Sequence, residues 1–166
     1  MSPSTAHPSL DRTDLRILDA LQSDGRLTNA ELAEKVGLSL SPCWRRLKRL
    51  EESGVIAGYR AELNRKALGL GVTAFVRIDI ERHTPAMERR FEEAIADLDE
   101  IVACHVISGE GAFMLVVMSE SLETFSKFAL DVLMALPGVK DTRTSFSLKE
   151  VKSSPALPLR HLRGGR

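Results

Sequence analysis

The stretch TNAELAEKVGLSLSPCWRRLKRLEESG, residues 28–54, holds two helix starts, two helix stops and a run of cations. Thr28, with Glu31 three residues on, has the capping-box pattern, in which each side chain satisfies the other residue's backbone N–H. Ala30, Ala33 and Val36 follow as the inward positions of a short helix, and Gly37 fits the place just past its end. Ser41-Pro42 reads as a cap followed by proline at the first helical position. The helix it opens is expected to run to Ser53 and stop at Gly54. Two short helices joined at Gly37-Leu38-Ser39-Leu40 have the helix-turn-helix layout.

The second of these helices can be oriented from its angular step of about 100° per residue. With Cys43 set at 0°, Leu47 and Leu50 fall at about 40° and 340°, so the three define a core stripe. Lys48, Arg45 and Arg49 fall at about 140°, 200° and 240°, on the far side, with Trp44 and Arg46 on the two shoulders. From Ser41 to Leu50 there are four cations, Arg45, Arg46, Lys48 and Arg49, and no acid. A basic helical face is often only a solvated face. Here it lies on the element that a helix-turn-helix presents to a major groove, where cations meet phosphates and base edges.

Upstream, Asp11 can cap a helix whose Leu15, Leu18 and Leu21 lie on one stripe with Ile17 beside it, ended by Gly25. Downstream, Gly54-Val55-Ile56-Ala57-Gly58-Tyr59 reads as a short strand or wing beside the groove. The division expected is a flexible arm over 1–10, a winged helix-turn-helix over 11–62, a connector over 63–71, an effector-binding and oligomerisation domain over 72–152, and a flexible tail over 153–166.

In the second half Val72, Ala74, Val76, Ile78 and Ile80 alternate with Thr73, Phe75, Arg77, Asp79 and Glu81, the period of a half-buried strand. Thr84-Pro85 opens a helix with Phe91, Ala94, Ile95 and Leu98 at helical spacing. Ile101 to Ile107 and Ala112 to Met118 are further strands, the latter apolar on both faces. A helix carrying Leu122, Phe125, Ala129, Val132, Leu133 and Leu136 ends at Pro137-Gly138, and a last strand runs from about Val139 or Thr142 to Val151. Strand-helix-strand twice over predicts an α+β fold with a ferredoxin-like βαββαβ domain and both helices on one sheet face. Its open face is expected to meet a second copy, back to back.

The 166 residues are 43% hydrophobic with 23 basic and 23 acidic side chains, a balance that excludes a disordered chain and a wholesale polyanion binder. No apolar run approaches the roughly 20 residues of a membrane span, and two cysteines exclude a disulfide framework. A reduced, cytoplasmic protein is the expectation. Cys104 and His105 are strand neighbours pointing to opposite faces, so they do not form a nucleophile–base pair. His7, His83, His105 and His161 lack metal-ligand spacing, and no phosphate loop or dinucleotide fingerprint occurs, so no metal or cofactor is expected.

Leu10-Asp11-Arg12-Thr13-Asp14, the run from Ser41 to Glu51, Gly54-Val55-Ile56 with Gly58-Tyr59, and Leu136-Pro137-Gly138-Val139 together resemble the Lrp/AsnC (leucine-responsive/asparagine, feast/famine) transcription regulators. The resemblance covers roughly Leu10 to Lys152. It implies a winged helix-turn-helix joined to a ligand-sensing, RAM/ACT-like domain. It further implies dimers through that domain, higher oligomers such as octamers, a pseudo-palindromic double-stranded operator, and an amino-acid or related effector. By carry-over Arg45, Lys48 and Arg49 read the operator, with Ser39, Ser41 and Trp44 as secondary contacts. The family's loop after the second strand usually reads Gly-Asp-aromatic-Asp-aromatic. Here it reads Gly109-Glu110-Gly111-Ala112-Phe113, losing one aromatic wall and the second carboxylate. Val139, Thr142 and Thr144 of a neighbouring subunit complete the implied pocket. A minority of proteins of similar architecture are tetrapyrrole (sirohaem) decarboxylases, the alternative reading. The retained cations on the helix after Ser41 favour the regulator, which is not an enzyme.

Overall fold

The structure, a computed structural model, describes residues 9–81, 84–108, 113–154 and 156–164. The chain divides into two compact units, one formed by the first 62 residues with Lys152–Arg166 and the other by Leu63–Val151.

The first unit is a trihelical bundle of α1 (Arg12–Ser23), α2 (Asn29–Lys35) and α3 (Leu40–Glu52). Leu15, Ile17 and Leu18 from α1, Leu32 from α2, Val36, and Cys43, Leu47 and Leu50 from α3 close its core. The starts of α1 and α2 are both capping boxes, Asp11 with Asp14 and Thr28 with Glu31, which occupy N–H groups that have no intrahelical partner. Gly37 adopts φ 66°, and the backbone N–H groups of Gly37 and Leu38 return to the carbonyls of Glu34 and Ala33. That is the paired C-terminal closure in which the left-handed residue is cheapest as glycine.

Three expectations for this unit are corrected. α3 begins at Leu40, capped from Ser39 without a side-chain bond, so Ser41 is not the cap and Pro42 lies third in the helix. Proline is tolerated there because a first-turn residue has no carbonyl four positions back to bond. The segment after Gly54 forms no strand; among the described residues nothing pairs with it, and a lone strand has no ladder to stabilise it. Instead Val55 and Ile56 pack onto the bundle, and the Ile56 N–H donates to the Leu50 carbonyl at 3.1 Å. Within the segment over 153–166, read as a flexible tail, the described residues 156–164 are docked on the bundle. Their 3-10 turn Arg160–Gly164 follows Leu159, and Leu159 and Leu162, three apart and so on one side, join the bundle's apolar cluster. The Gln22 side chain bonds the Leu157 backbone in both directions, and Arg163 pairs with Asp19.

The second unit runs β1 (Val72–Ile80), α4 (Pro85–Ile95), β2 (Ile101–Val106), β3 (Phe113–Ser119), α5 (Leu122–Asp131) and β4 (Val139–Phe146). Its sheet has the order β2-β3-β1-β4 with every pairing antiparallel, the ferredoxin-like arrangement read from the sequence. Ala74, Val76, Ile78 and Ile80 with Phe113, Leu115 and Val117 face Phe91, Ile95, Phe125 and Phe128 of the two helices. Phe91 and Phe113 stack with ring centroids 4.4 Å apart. The opposite sheet face carries Phe75 beside Val116 and Arg77 beside Met114; among the described residues α4 and α5 pack on the other face. The residues over 63–71, read as a connector, belong to this unit; Asn64 caps a turn there through the N–H groups of Lys66 and Ala67.

β4 stops at Phe146, short of the expected Val151: Phe146 pairs with Ala74, one further bond runs from the Ser147 N–H to the Thr73 carbonyl at 2.9 Å, and β1 itself begins at Val72. α5 ends at Asp131 and continues as a 3-10 turn over Leu133–Ala135, after which Leu136 is extended, as a residue before proline prefers. Gly138 then adopts φ 73°, where an added Cβ would lie 2.6 Å from the Met87 sulfur of α4.

Candidate nucleic-acid interface and effector loop

Cys43, Leu47 and Leu50 are buried, and the cations of α3 lie on its other sides, as the angular reading requires. Arg45 is exposed and has no hydrogen bond or ion pair among the described residues. Lys48 is exposed too, its Nζ 5.5 Å from the Trp44 ring centroid and 4.0 Å from Glu52. Ser39, Ser41 and Trp44 are exposed along the start of the helix.

Arg46 and Arg49 differ from these. Asp14 of α1 is 0% exposed, and its Oδ1 accepts from Arg46 Nη1 at 2.9 Å while Oδ2 accepts from Arg49 Nη2 at 2.6 Å. Oδ2 also accepts the Asp11 N–H at 3.0 Å, and Arg46 Nη1 reaches Asp11 Oδ2 at 2.6 Å. The capping box of α1 is thereby tied to α3 by two guanidinium groups. The Asp14 N–H and the Arg46 guanidinium beside Asp11 hold its carboxyl below the usual carboxylate value, and the two carboxylates raise the Arg46 pKa. Arg49 therefore faces outward only in part: its side chain is 56% exposed and one nitrogen is committed to Asp14.

Sequence reading assigned Asp14 to the family motif and missed the clasp. A signal was present, since Asp14 stands three residues before Ile17 and four before Leu18, on the buried face of α1. Arg46 and Arg49, three apart on α3, are spaced to meet one such acid.

In the second unit Gly109, Glu110, Gly111 and Ala112 lie outside the described residues. Phe113 begins β3, and its ring is 1% exposed, spent on the stack with Phe91. Thr142 and Thr144 pair with Ile78 and Val76 of β1 and so share one face of β4. A register shift between Asp79 and Ile80 brings Val139 opposite Ile80. β4 is the edge of the sheet, where Val139 and Thr142 are half-buried and Thr144 is exposed. Cys104 pairs with Leu115 and His105 with Met114, which places the two side chains on opposite faces. Among the described residues no three His, Cys, Asp or Glu side chains gather as a metal site. No described helix is long and apolar enough to cross a membrane.

The Lrp/AsnC ligand binding domain matches residues 73–157, and a winged helix-turn-helix DNA-binding domain matches residues 10–57. The leucine-responsive regulatory protein of Escherichia coli K12 is 41% identical over 151 residues, covering 91% of this chain and 92% of that protein. A crystal structure of a transcriptional regulator from Neisseria meningitidis in complex with L-Met is 42% identical with a TM-score of 0.89, covering 92% of this chain and 99% of that one. An AsnC family transcriptional regulator from Agrobacterium tumefaciens is 34% identical with a TM-score of 0.87 over the same shares. With a family match to a winged helix-turn-helix and another to a ligand-binding domain, this chain belongs to the Lrp/AsnC family of transcriptional regulators.

Proposed function

We propose that this regulator reads a pseudo-palindromic operator as a homodimer, with the α3 of each subunit in a major groove. The observation that carries the reading is the pair of cations, Arg45 and Lys48, presented on the exposed side of a helix whose opposite stripe is locked in the bundle. Arg45 and Lys48 meet phosphates and base edges, Arg49 contributes its uncommitted edge, and Ser39, Ser41 and Trp44 lie at the helix start beside the backbone. The dimer forms through the uncovered sheet face bearing Phe75, Met114 and Val116, and dimers assemble further, to octamers in the fullest form. The protein acts in the cytoplasm, on the nucleoid.

The effector is an amino acid or a close relative. Support comes from the ligand-binding family match and from the L-Met held by the Neisseria regulator. The loop Gly109-Glu110-Gly111-Ala112-Phe113 supplies backbone N–H groups for a carboxylate, and Glu110 supplies an acid for an ammonium group. Val139, Thr142 and Thr144 of a neighbouring subunit close the pocket. Phe113 contributes through its backbone, because its ring is in the core.

Selecting duplexes from a random-sequence pool with the full chain tests the DNA reading. A two-fold symmetric consensus with half-sites about one helical turn apart is expected, and recovery of no consensus contradicts it. Melting the protein with each amino acid and 2-oxo acid tests the effector, since a ligand of the folded state raises the apparent Tm. No shift with any of them contradicts that assignment.

A further inference from the structure

We propose that Asp14, which is fully buried and cannot touch DNA, sets the sequence selectivity of α3 by fixing the plane of the Arg49 guanidinium. The inference rests on α3 being the DNA-contacting helix.

A buried carboxylate is costly unless charges and hydrogen bonds compensate it, and an apolar replacement of a buried ion pair is often neutral or stabilising. Stability alone therefore does not require an acid at this position. The arrangement does something an apolar residue cannot: it orients two guanidinium groups. Asp14 Oδ1 takes Arg46, and Oδ2 takes Arg49 together with the Asp11 N–H. Arg46 is the more buried of the two, 32% exposed against 56%, and is held a second time by Asp11. It is a strut between α1 and α3.

Arg49 has one nitrogen on Asp14 and the rest of a planar, five-donor fork open to solvent. Bidentate recognition of a guanine edge needs that fork in a fixed plane, whereas attraction to phosphate needs only the charge. The four cations between Ser41 and Leu50 thus divide their work. Arg45 and Lys48 supply most of the affinity through phosphates, Arg46 braces the helix, and Arg49, buttressed by Asp14, adds most of the discrimination. Asp14 is a positioning residue.

The test uses the full chain, a duplex enriched from a random pool by the wild-type protein, and a scrambled duplex of equal length and composition. The readouts are the affinity ratio between the two and the slope of log affinity against log salt. Asp14→Asn is expected to lower the ratio about tenfold, the effect of loosening one bidentate contact. Affinity for the scrambled duplex should hold or rise, because a negative charge behind the helix is gone. Arg49→Ala should lower the ratio similarly and flatten the salt slope. The double variant Asp14→Asn with Arg49→Ala should match Arg49→Ala alone, since Asp14 acts through Arg49. A wild-type ratio in Asp14→Asn, or a further loss of ratio in the double variant, overturns the proposal.

Should Asp14→Asn fail to fold, Arg49→Lys carries the test: it keeps the charge and loses the fork. A lower ratio with an unchanged slope is expected, and an unchanged ratio overturns the proposal. Arg45→Ala with Lys48→Ala separates the two levels. If it leaves both affinities intact, the assignment of α3 fails; if it weakens both while Asp14→Asn leaves the ratio intact, only the role of Asp14 fails.

Discussion

The two units solve the same problem with different means. The sheet unit buries an apolar core of branched and aromatic side chains against one face, and among its described residues Ser119 is the only buried polar one. The helical bundle has fewer residues to bury and places a fully buried aspartate where α1 meets α3. A small core supplies limited stabilisation, so the orientation of α3 is defined by directional charge pairs as well as by packing. On the proposed function, the unit that must present side chains at fixed angles is the one built with directional bonds.

The largest expected contrast comes from emptying the sheet core. Phe113→Ala should cost about 3–5 kcal/mol, the usual price of removing a buried aromatic, because its ring stacks on Phe91 at 4.4 Å. The chain has one Trp and one Tyr, Trp44 and Tyr59, both in the bundle unit. Their fluorescence follows the bundle while far-ultraviolet circular dichroism includes the sheet, so the loss should register in the second signal at lower denaturant. Asp14→Ala should cost less, about 1–3 kcal/mol, because Arg46 and Arg49 are partly exposed and can turn to water. It should register in Trp44 fluorescence.

Gly138→Ala and Gly37→Ala compare two glycines of like backbone, φ 73° and 66°. Gly37 has open surroundings, with the nearest atom 4.0 Å from an added Cβ, whereas Gly138 has the Met87 sulfur at 2.6 Å. A left-handed alanine costs roughly 1–2 kcal/mol, so Gly37→Ala should fall in that range and Gly138→Ala above it in chemical unfolding.

The smallest effect is on pH. The backbone N–H of Asp14, with Arg46, lowers Asp11 from its ordinary 3.8, and the Thr28 N–H and hydroxyl lower Glu31 from 4.5. Carboxyls lowered in the fold stabilise it above those ordinary values, and the contribution is lost as pH falls through the folded values. Tyr59 is pushed up to about 12 by burial and by the hydrogen bond to Glu51. Its contribution is full below pH 10 and lost as pH rises toward 12. Fluorescence-detected melts across pH should show the bundle weakening at both ends.

Much of this was legible because the signals were local. The capping box at Thr28, the cap and proline at Thr84-Pro85, the stop at Gly37, the alternation of β1 and the core stripe of α3 depend on residues a few positions apart. What was not legible depends on distant partners. Asp14 meets Arg49 across 35 residues, and Arg163 meets Asp19 across 144. Leu159 and Leu162, in a segment rich in proline and glycine, read as loose until a bundle is present to receive them. The end of β4 depends on its pairing with β1, far upstream in the chain, and the segment after Gly54 has no strand partner among the described residues. For the effector loop, the residues Gly109 to Ala112 lie outside the described part, while Phe113 turned its ring into the core.

The salt dependence of operator binding tests the central claim most directly, because it counts cations at the DNA. Each phosphate neutralised contributes about 0.9 to the slope of log affinity against log salt. The proposed dimer carrying Arg45→Ala and Lys48→Ala loses four cations, so its slope should fall by about three to four, with its elution volume on size exclusion unchanged. A slope equal to that of the wild type would mean that the cations of α3 face something other than DNA.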